Sequence, residues 1–201
     1  MRQWVVIPIK APALCKTRLS SVLDEGGRRR LVATMLERSY AAACRIVGPG
    51  QVLLLGPDRH GLPDSVGLLA DPGGGLNAAL SSARDAALEA GVDRVLFLSA
   101  DLPLIQAEDV AAMFDIPPTH IAAASDRAGQ GTNALCLPLP QGGRFAFRYG
   151  EDSFAAHHRE AARLSLGLTA IARPGLGFDV DQPDDLHAWS PGRDLAAPLA
   201  K

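Results

Sequence analysis

Val95-Leu96-Phe97-Leu98-Ser99-Ala100-Asp101-Leu102-Pro103 opens with four large apolar residues in a row. Such a run, followed at once by small residues, reads as a strand buried on both faces, the pattern of a largely parallel sheet. Pro103 cannot donate to a ladder and stops the strand. In open α/β sheets ligands collect beyond the carboxyl ends of the strands, and Asp101 falls there. On this segment alone, Asp101 either caps the turn before the next helix or holds a cation against a bound phosphate.

Working outward toward the amino end, residues 4–9 read as the first, central strand, running into Pro8-Ile9-Lys10. A loop with Lys16, Arg18 and Ser20 follows, so three cations, Lys10, Lys16 and Arg18, gather at the end of a buried strand. Arg presents a planar fork to phosphate oxygens and Lys a point charge; the alternative is a solvated basic loop. Residues 24–46 carry apolar side chains at helical spacing, with acids at the start and Gly48-Pro49 at the end, and predict a covering helix. Residues 51–55 and 66–70 read as strands, and His60 lies in the loop between them as a solvent-exposed residue.

The second of these strands ends in Asp71-Pro72-Gly73-Gly74-Gly75-Leu76-Asn77. Gly73, Gly74 and Gly75 allow a sharp turn and close approach to a planar ligand. The following helix aims its free N–H groups back at that loop. The Asn77 amide both donates and accepts, as reading a base edge requires; the plainer alternative is a strand-to-helix turn.

Toward the carboxyl end, residues 106–114 predict a short helix and 120–125 a strand. Gly129 to Ala134 formally fits G-x-G-x-x-A, but Leu135-Cys136-Leu137 continues as a strand rather than a helix, which excludes the dinucleotide fingerprint. Thr132 and Asn133 read instead as polar ligands. Before a helix predicted to run to about residue 166 stand Arg148, Gly150 and Ser153. Ser153 fits an N-cap, and the three together suit an anion pocket, or else an ordinary cap. Of His157 and His158, one faces the pocket or the core and the other solvent. After a late strand at 168–172 comes Asp179-Val180-Asp181-Gln182-Pro183. Residues two apart in an extended segment point the same way, so Asp179 and Asp181 can aim at one cation. Pro183 opens the last helix, and Asp184 and Asp185 in its first turn are structural.

The 201 residues carry a formal net charge of -2 and are 47% hydrophobic, which suggests a sizeable core and one domain over 1–189, with a loosely ordered tail at 190–201. No basic excess points to nucleic acid or an anionic membrane surface. No apolar stretch approaches a membrane span, and the start of the chain does not read as a signal peptide. Cys15, Cys44 and Cys136 form no metal-ligand spacing and read as reduced thiols of a cytoplasmic protein.

Three carboxylates from two separated strand ends, Asp101, Asp179 and Asp181, suit Mg²⁺, which takes one or two carboxylates plus phosphate and water. With a basic loop on one side and an anion pocket on the other, the fitting chemistry is attack of a second substrate's phosphate on the α-phosphorus of a nucleoside triphosphate. That reaction needs little side-chain acid or base, because a phosphate dianion is already a nucleophile.

The whole pattern resembles the 2-phospho-L-lactate guanylyltransferase family of coenzyme F-420 biosynthesis, from residue 5 to about 189. The resemblance rests on Pro8-Ile9-Lys10 with Lys16-Thr17-Arg18-Leu19, Asp71-Pro72-Gly73-Gly74-Gly75-Leu76-Asn77, Ala100-Asp101-Leu102-Pro103, Gly131-Thr132-Asn133-Ala134-Leu135, Phe147-Arg148-Tyr149-Gly150 with Ser153-Phe154, and Asp179-Val180-Asp181-Gln182-Pro183-Asp184-Asp185-Leu186. It implies a nucleotide-diphospho-sugar-transferase-like, Rossmann-like three-layer α/β fold with a mixed, mostly parallel sheet. It implies GTP, Mg²⁺ and a three-carbon phosphorylated acid, and leaves room for a homodimer and for hand-over of product to the next enzyme of the pathway. Thr132, Gly150 and Ser153 match the family's acceptor positions, and Asn133 and Arg148 lie beside them. Asp101, Asp179 and Asp181 match the metal site, Lys16 and Arg18 the triphosphate loop with Lys10 nearby, and the glycine loop through Asn77 the guanine side. Family members use 2-phospho-L-lactate, phosphoenolpyruvate or 3-phospho-D-glycerate, and likeness to the proteobacterial branch leans toward the last. Two alternatives share the fold: a molybdenum-cofactor nucleotidyltransferase, whose first loop differs from Pro8-Ile9-Lys10, and a non-catalytic nucleotide-binding regulator, which has no need of three convergent acids.

Overall fold

The computed structural model describes residues 1–189; the tail expected at 190–201 lies outside them. The described residues form a seven-stranded sheet of β1 (Gln3–Pro8), β2 (Val52–Leu55), β3 (Gly67–Leu69), β4 (Arg94–Leu98), β5 (His120–Ser125), β6 (Thr132–Pro138) and β7 (Gly167–Ala170). The spatial order is β3-β2-β1-β4-β6-β5-β7. β1 runs parallel to β2 and β4, and β2 to β3. β6 is antiparallel to both β4 and β5, so the sheet is mixed and mostly parallel, as expected. β4 is buried at all five positions, and β6 at all seven, because helices cover both faces.

Alternate strand residues serve the two faces. Val5, Ile7, Leu54, Leu96 and Leu98 pack with α1 (Glu25–Val47) and α3 (Ala107–Phe114). Val6, Leu55, Val95 and Phe97 pack with α2 (Leu76–Glu89) and α4 (Ser153–Arg163). This is the three-layer α/β arrangement. Asp24 caps α1 by accepting from the Gly27 N–H at 2.6 Å, and Gln106 with Asp109 forms a capping box on α3. On the α2 face, Phe97 meets Phe147 edge-on at 4.8 Å between centroids. That contact anchors the strand-like 145–149 segment, with Phe145 and Phe147 inward and Arg148 exposed. Truncating Phe97 to Ala there costs about 3–5 kcal/mol.

A third, small apolar cluster bears directly on the acidic segment at 179–181. Leu19 and Leu23, which follow the basic loop, pack with Val180, Leu186 and the α1 residues Leu31 and Met35. Val180 is fully buried between Asp179 and Asp181, so burying its side chain turns both acids the other way, Asp181 onto Lys16 and Asp179 toward Asn133.

Two local expectations differ from the structure. Ser153 is the first residue of α4 rather than its cap; Asp152, with φ of 51°, stands at the cap position and makes no side-chain cap bond. A four-residue helix, α5 (Pro174–Gly177), precedes the acidic segment, too short to show a periodic pattern. The final helix, α6 (Pro183–Trp189), starts at Pro183 as expected.

Candidate active site

The end of β4 and the start of β6 lie side by side, because β6 runs the opposite way: Leu98 pairs with Ala134, and the Ser99 N–H donates to Asn133 O at 2.9 Å. An antiparallel neighbour begins where the parallel strands end, and this puts Thr132 and Asn133 beside Asp101. The Val180 N–H donates to Asp101 O at 3.3 Å, tying the late acidic segment to the same place.

Lys16 sits at the centre of this cluster. Its Nζ lies 2.6 Å from Asp101 Oδ2 and 2.6 Å from Asp181 Oδ1. Its backbone is in the left-handed region, φ 51°, uncommon for a residue with a side chain. Burial works to lower the Lys16 pKa, but Asp101 and Asp181 outweigh it and the pKa is raised, so the ammonium is charged throughout the physiological range. Burial likewise pushes Asp181 up, and Lys16, with Arg18 and Lys10 beyond it, brings it below the usual carboxylate range. Lys10 and Arg18 are exposed and act on the cluster through space.

Asp179 behaves differently. Burial and then the charge of Asp101 push it up to about 6, against a hydrogen bond from Asn133. The Asn133 amide nitrogen reaches Asp179 Oδ1 at 3.4 Å and Leu176 O at 3.0 Å. The amide nitrogen of Asn133 is therefore engaged in holding the acidic segment.

The three acids converge, but not as three carboxylates around a point. Among the described residues no group of three or more His, Cys, Asp or Glu side chains is arranged to hold a metal ion, because Lys16 occupies the space between Asp101 and Asp181. The donor set nonetheless fits a hard divalent cation. Asp101 Oδ1 is buried with no hydrogen-bond partner among the described residues, and burial and, second to it, the charge of Asp101 raise the pKa of Asp179 beside it. Mg²⁺ needs only one or two carboxylates when phosphate and water complete its shell.

A second, uncharged cluster lies at the start of β6. Thr132 Oγ1 is 3.0 Å from His157 Nδ1 and accepts from the Ser153 hydroxyl at 3.2 Å. His157 Nε2 accepts the Arg148 N–H at 3.0 Å. Thr132, Ser153 and His157 are all buried, and burial pushes His157 down to about 4. His158 is exposed, so of the adjacent pair it is His157 that turns inward. Gly150, exposed with φ of 143°, has open space where a Cβ would sit.

Gly73, Gly74 and Gly75 have φ of 84°, 83° and 88°, a run that only glycine adopts without strain. Asn77 braces the neighbouring segment. Its amide nitrogen donates to Tyr149 O at 3.0 Å, and its amide oxygen accepts the Tyr149 N–H at 2.8 Å. Both ends of the amide bond the backbone beside Gly150, and the three glycines are exposed. Asp185 is structural as expected, accepting the N–H groups of Asp181 and Gln182 at 3.1 and 2.8 Å.

Comparison with known proteins bears on family and fold. Residues 3–189 match the model of the family described as guanylyl transferase CofC like. The phosphoenolpyruvate guanylyltransferase of Rubrobacter xylanophilus is 40% identical over 192 residues, covering 92% of each chain. The enzyme of the same name from Chloroflexus aurantiacus is 37% identical, covering 92% of this chain and 93% of its own. Among solved structures, a Desulfovibrio desulfuricans protein described as a nucleotide-diphospho-sugar transferase superposes with a TM-score of 0.76 at 19% identity, covering 94% of this chain and 86% of that one. CMP:2-keto-3-deoxy-manno-octonic acid synthetase complexed with CTP superposes with a TM-score of 0.59 at 13% identity, covering 94% and 97%. These two likenesses are of fold: the nucleotide-diphospho-sugar-transferase-like sheet expected from the sequence.

Proposed function

The chain belongs to the CofC-like guanylyl transferase family, and on that premise we propose that it transfers GMP from GTP to the phosphate of phosphoenolpyruvate, releasing pyrophosphate, as a step toward coenzyme F-420. The observation that carries this reading is the junction of β4 and β6, where a charged cluster on Asp101 adjoins a neutral hydroxyl pocket on Thr132. The relatives' names favour phosphoenolpyruvate as the acceptor over the 3-phospho-D-glycerate to which the sequence leaned.

In the reaction, an oxygen of the acceptor's phosphate forms a bond to the α-phosphorus of GTP. The bond from that phosphorus to the β-phosphate bridging oxygen breaks, and pyrophosphate leaves with the electron pair. No proton need move to a side chain. The chain's task is to bring two anions together and balance charge. Lys16, held charged by two acids, supplies a fixed cation beside Asp101, and Arg18 and Lys10 add positive potential at the rim of the cleft. Asp101 and Asp179 are the residues that would hold Mg²⁺, with Asp181 close by through Lys16; an ion bound there would supply positive charge against the triphosphate. The glycine loop offers the base an unhindered backbone, while Thr132, Ser153 and Gly150 receive the small acid.

The test is purified protein with GTP and Mg²⁺, given phosphoenolpyruvate, 3-phospho-D-glycerate and 2-phospho-L-lactate in parallel. Mass detection of a guanylylated product with phosphoenolpyruvate is expected. Product with only one of the other acids reassigns the acceptor, and no pyrophosphate with any of them overturns the reading.

A further inference from the structure

His157 lies outside the motifs that point to the acceptor pocket, yet its ring touches both walls of it. One nitrogen meets the Thr132 hydroxyl on β6, the other the backbone of Arg148 in the segment that leads to Gly150. The ring is fully buried and is held edge-on to Tyr149 at 4.8 Å, with Phe145 at 5.6 Å.

These contacts determine where the protons are. A backbone N–H can only donate, so the Nε2 that receives it from Arg148 carries no hydrogen. The single proton of a neutral imidazole then sits on Nδ1 and donates to Thr132 Oγ1. A protonated ring would set an Nε2–H against the Arg148 N–H, which agrees with burial holding the ring neutral. Thr132 and Ser153 have one O–H each and share one link. Whichever of the two donates in that link, one hydroxyl proton is left over without an acceptor among the described residues.

We propose that His157 is a positioning residue that, through its Nδ1–H, aims this remaining hydroxyl proton of the Thr132–Ser153 pair at an oxygen of the anionic acceptor. This rests on the assignment of that pocket to the acceptor. With Nδ1–H directed at Thr132, the threonine cannot turn its own hydrogen back toward the ring. The pair therefore presents one free donor, which suits a phosphorylated carboxylic acid. The link to Arg148 holds the opposite wall, where Asn77 grips Tyr149 from a different helix.

Two substitutions separate the ring's functions. His157→Asn can place an amide N–H where Nδ1 was, and His157→Gln an amide oxygen where Nε2 was. The wild-type protein is first assayed with GTP and the three acids; absence of turnover there overturns the pocket assignment and with it the proposal. With turnover established, His157→Gln is expected to raise the KM for the acceptor about tenfold or more, from loss of one well-aimed hydrogen bond to an anion. The KM for GTP should stay within about twofold, because the charged cluster is untouched, and His157→Asn should restore most of the acceptor KM. Equal damage by both variants, or parallel rises in both KM values, overturns the proposal in favour of a merely structural ring. Nitrogen NMR of the wild-type ring at neutral pH is independent of how the variants fold. An Nδ1–H tautomer supports the assignment, and an Nε2–H tautomer sinks it.

Discussion

On one side of the cleft, Lys16, Asp101 and Asp181 share two contacts of 2.6 Å, with side chains 10%, 24% and 48% exposed. On the other, Thr132, Ser153 and His157 hold one another through hydrogen bonds without a formal charge, and all are buried. The exposures explain the choice of groups. Charges keep some contact with water and an opposite partner, which limits their desolvation cost. Where water is excluded, the chain uses hydroxyls and a ring that burial keeps neutral near pH 7. Charge is suited to a triphosphate and its cation, for which field strength matters more than shape. Directed hydrogen bonds are suited to a small acid that must be told from its relatives, since an unpaired buried polar group penalises the wrong one.

The contrast can be broken most sharply at Asp101. Asp101→Asn removes one of the acids for the cation and one partner of Lys16, and kcat for pyrophosphate release is expected to fall about 1,000-fold. A loss under about tenfold would favour a binding role for this cleft over catalysis. Lys16→Met comes next. It leaves Asp101 and Asp181 without their common cation, and a drop of about 100-fold in kcat/KM for GTP is expected in steady-state assays.

Asn77→Ala tests which side that residue serves. If its amide braces the acceptor wall, as its bonds to Tyr149 indicate, the acceptor KM rises about tenfold while the GTP KM stays put, with a stability loss of about 1–3 kcal/mol seen in urea denaturation. A rise in the GTP KM alone would return Asn77 to the base.

The smallest expected effects are in stability against pH, and the two clusters contribute with opposite sign. His157 is held down to about 4 by burial. The unfolded chain takes up its proton near the ordinary 6.5, so this contribution is fully present above 6.5 and lost as pH falls toward 4, by at most about 3 kcal/mol. Asp179 is pushed up to about 6 by burial and Asp101. Its contribution is present below its ordinary value of 3.8 and lost as pH rises through 6. In urea midpoints measured from pH 4 to 8, His157→Gln should flatten the acid slope. Asp179→Asn should raise stability above pH 6, where the wild-type carboxylate is charged.

Much of the frame was readable in the linear chain. The apolar run at 95–98 announced a strand buried on both faces, and it is one. The acids at 101, 179 and 181 stood after strands, and the structure draws them together. The pocket was legible in part: Thr132 and Ser153 meet, but Ser153 does so from the first turn of α4, with Asp152 at the cap. Asn77 and Asn133 bond within the protein in ways their motifs did not announce, for one reason. An amide that can read a ligand can equally bind backbone, and the sequence does not say which partner arrives first.

Hydrophobic period, chain-breaking residues and the placing of glycines determined the elements, because each acts within a few residues of itself. Partner choice was left to the tertiary structure. Lys16 meets Asp101 and Asp181 across 85 and 165 residues of chain, and nothing local distinguishes an ammonium that will sit between two acids from one that will wave in solvent. His157 and His158 are neighbours of the same chemical type, and only the packing of α4 against β6 and the 145–149 segment buries one, fixes its tautomer and leaves the other in water.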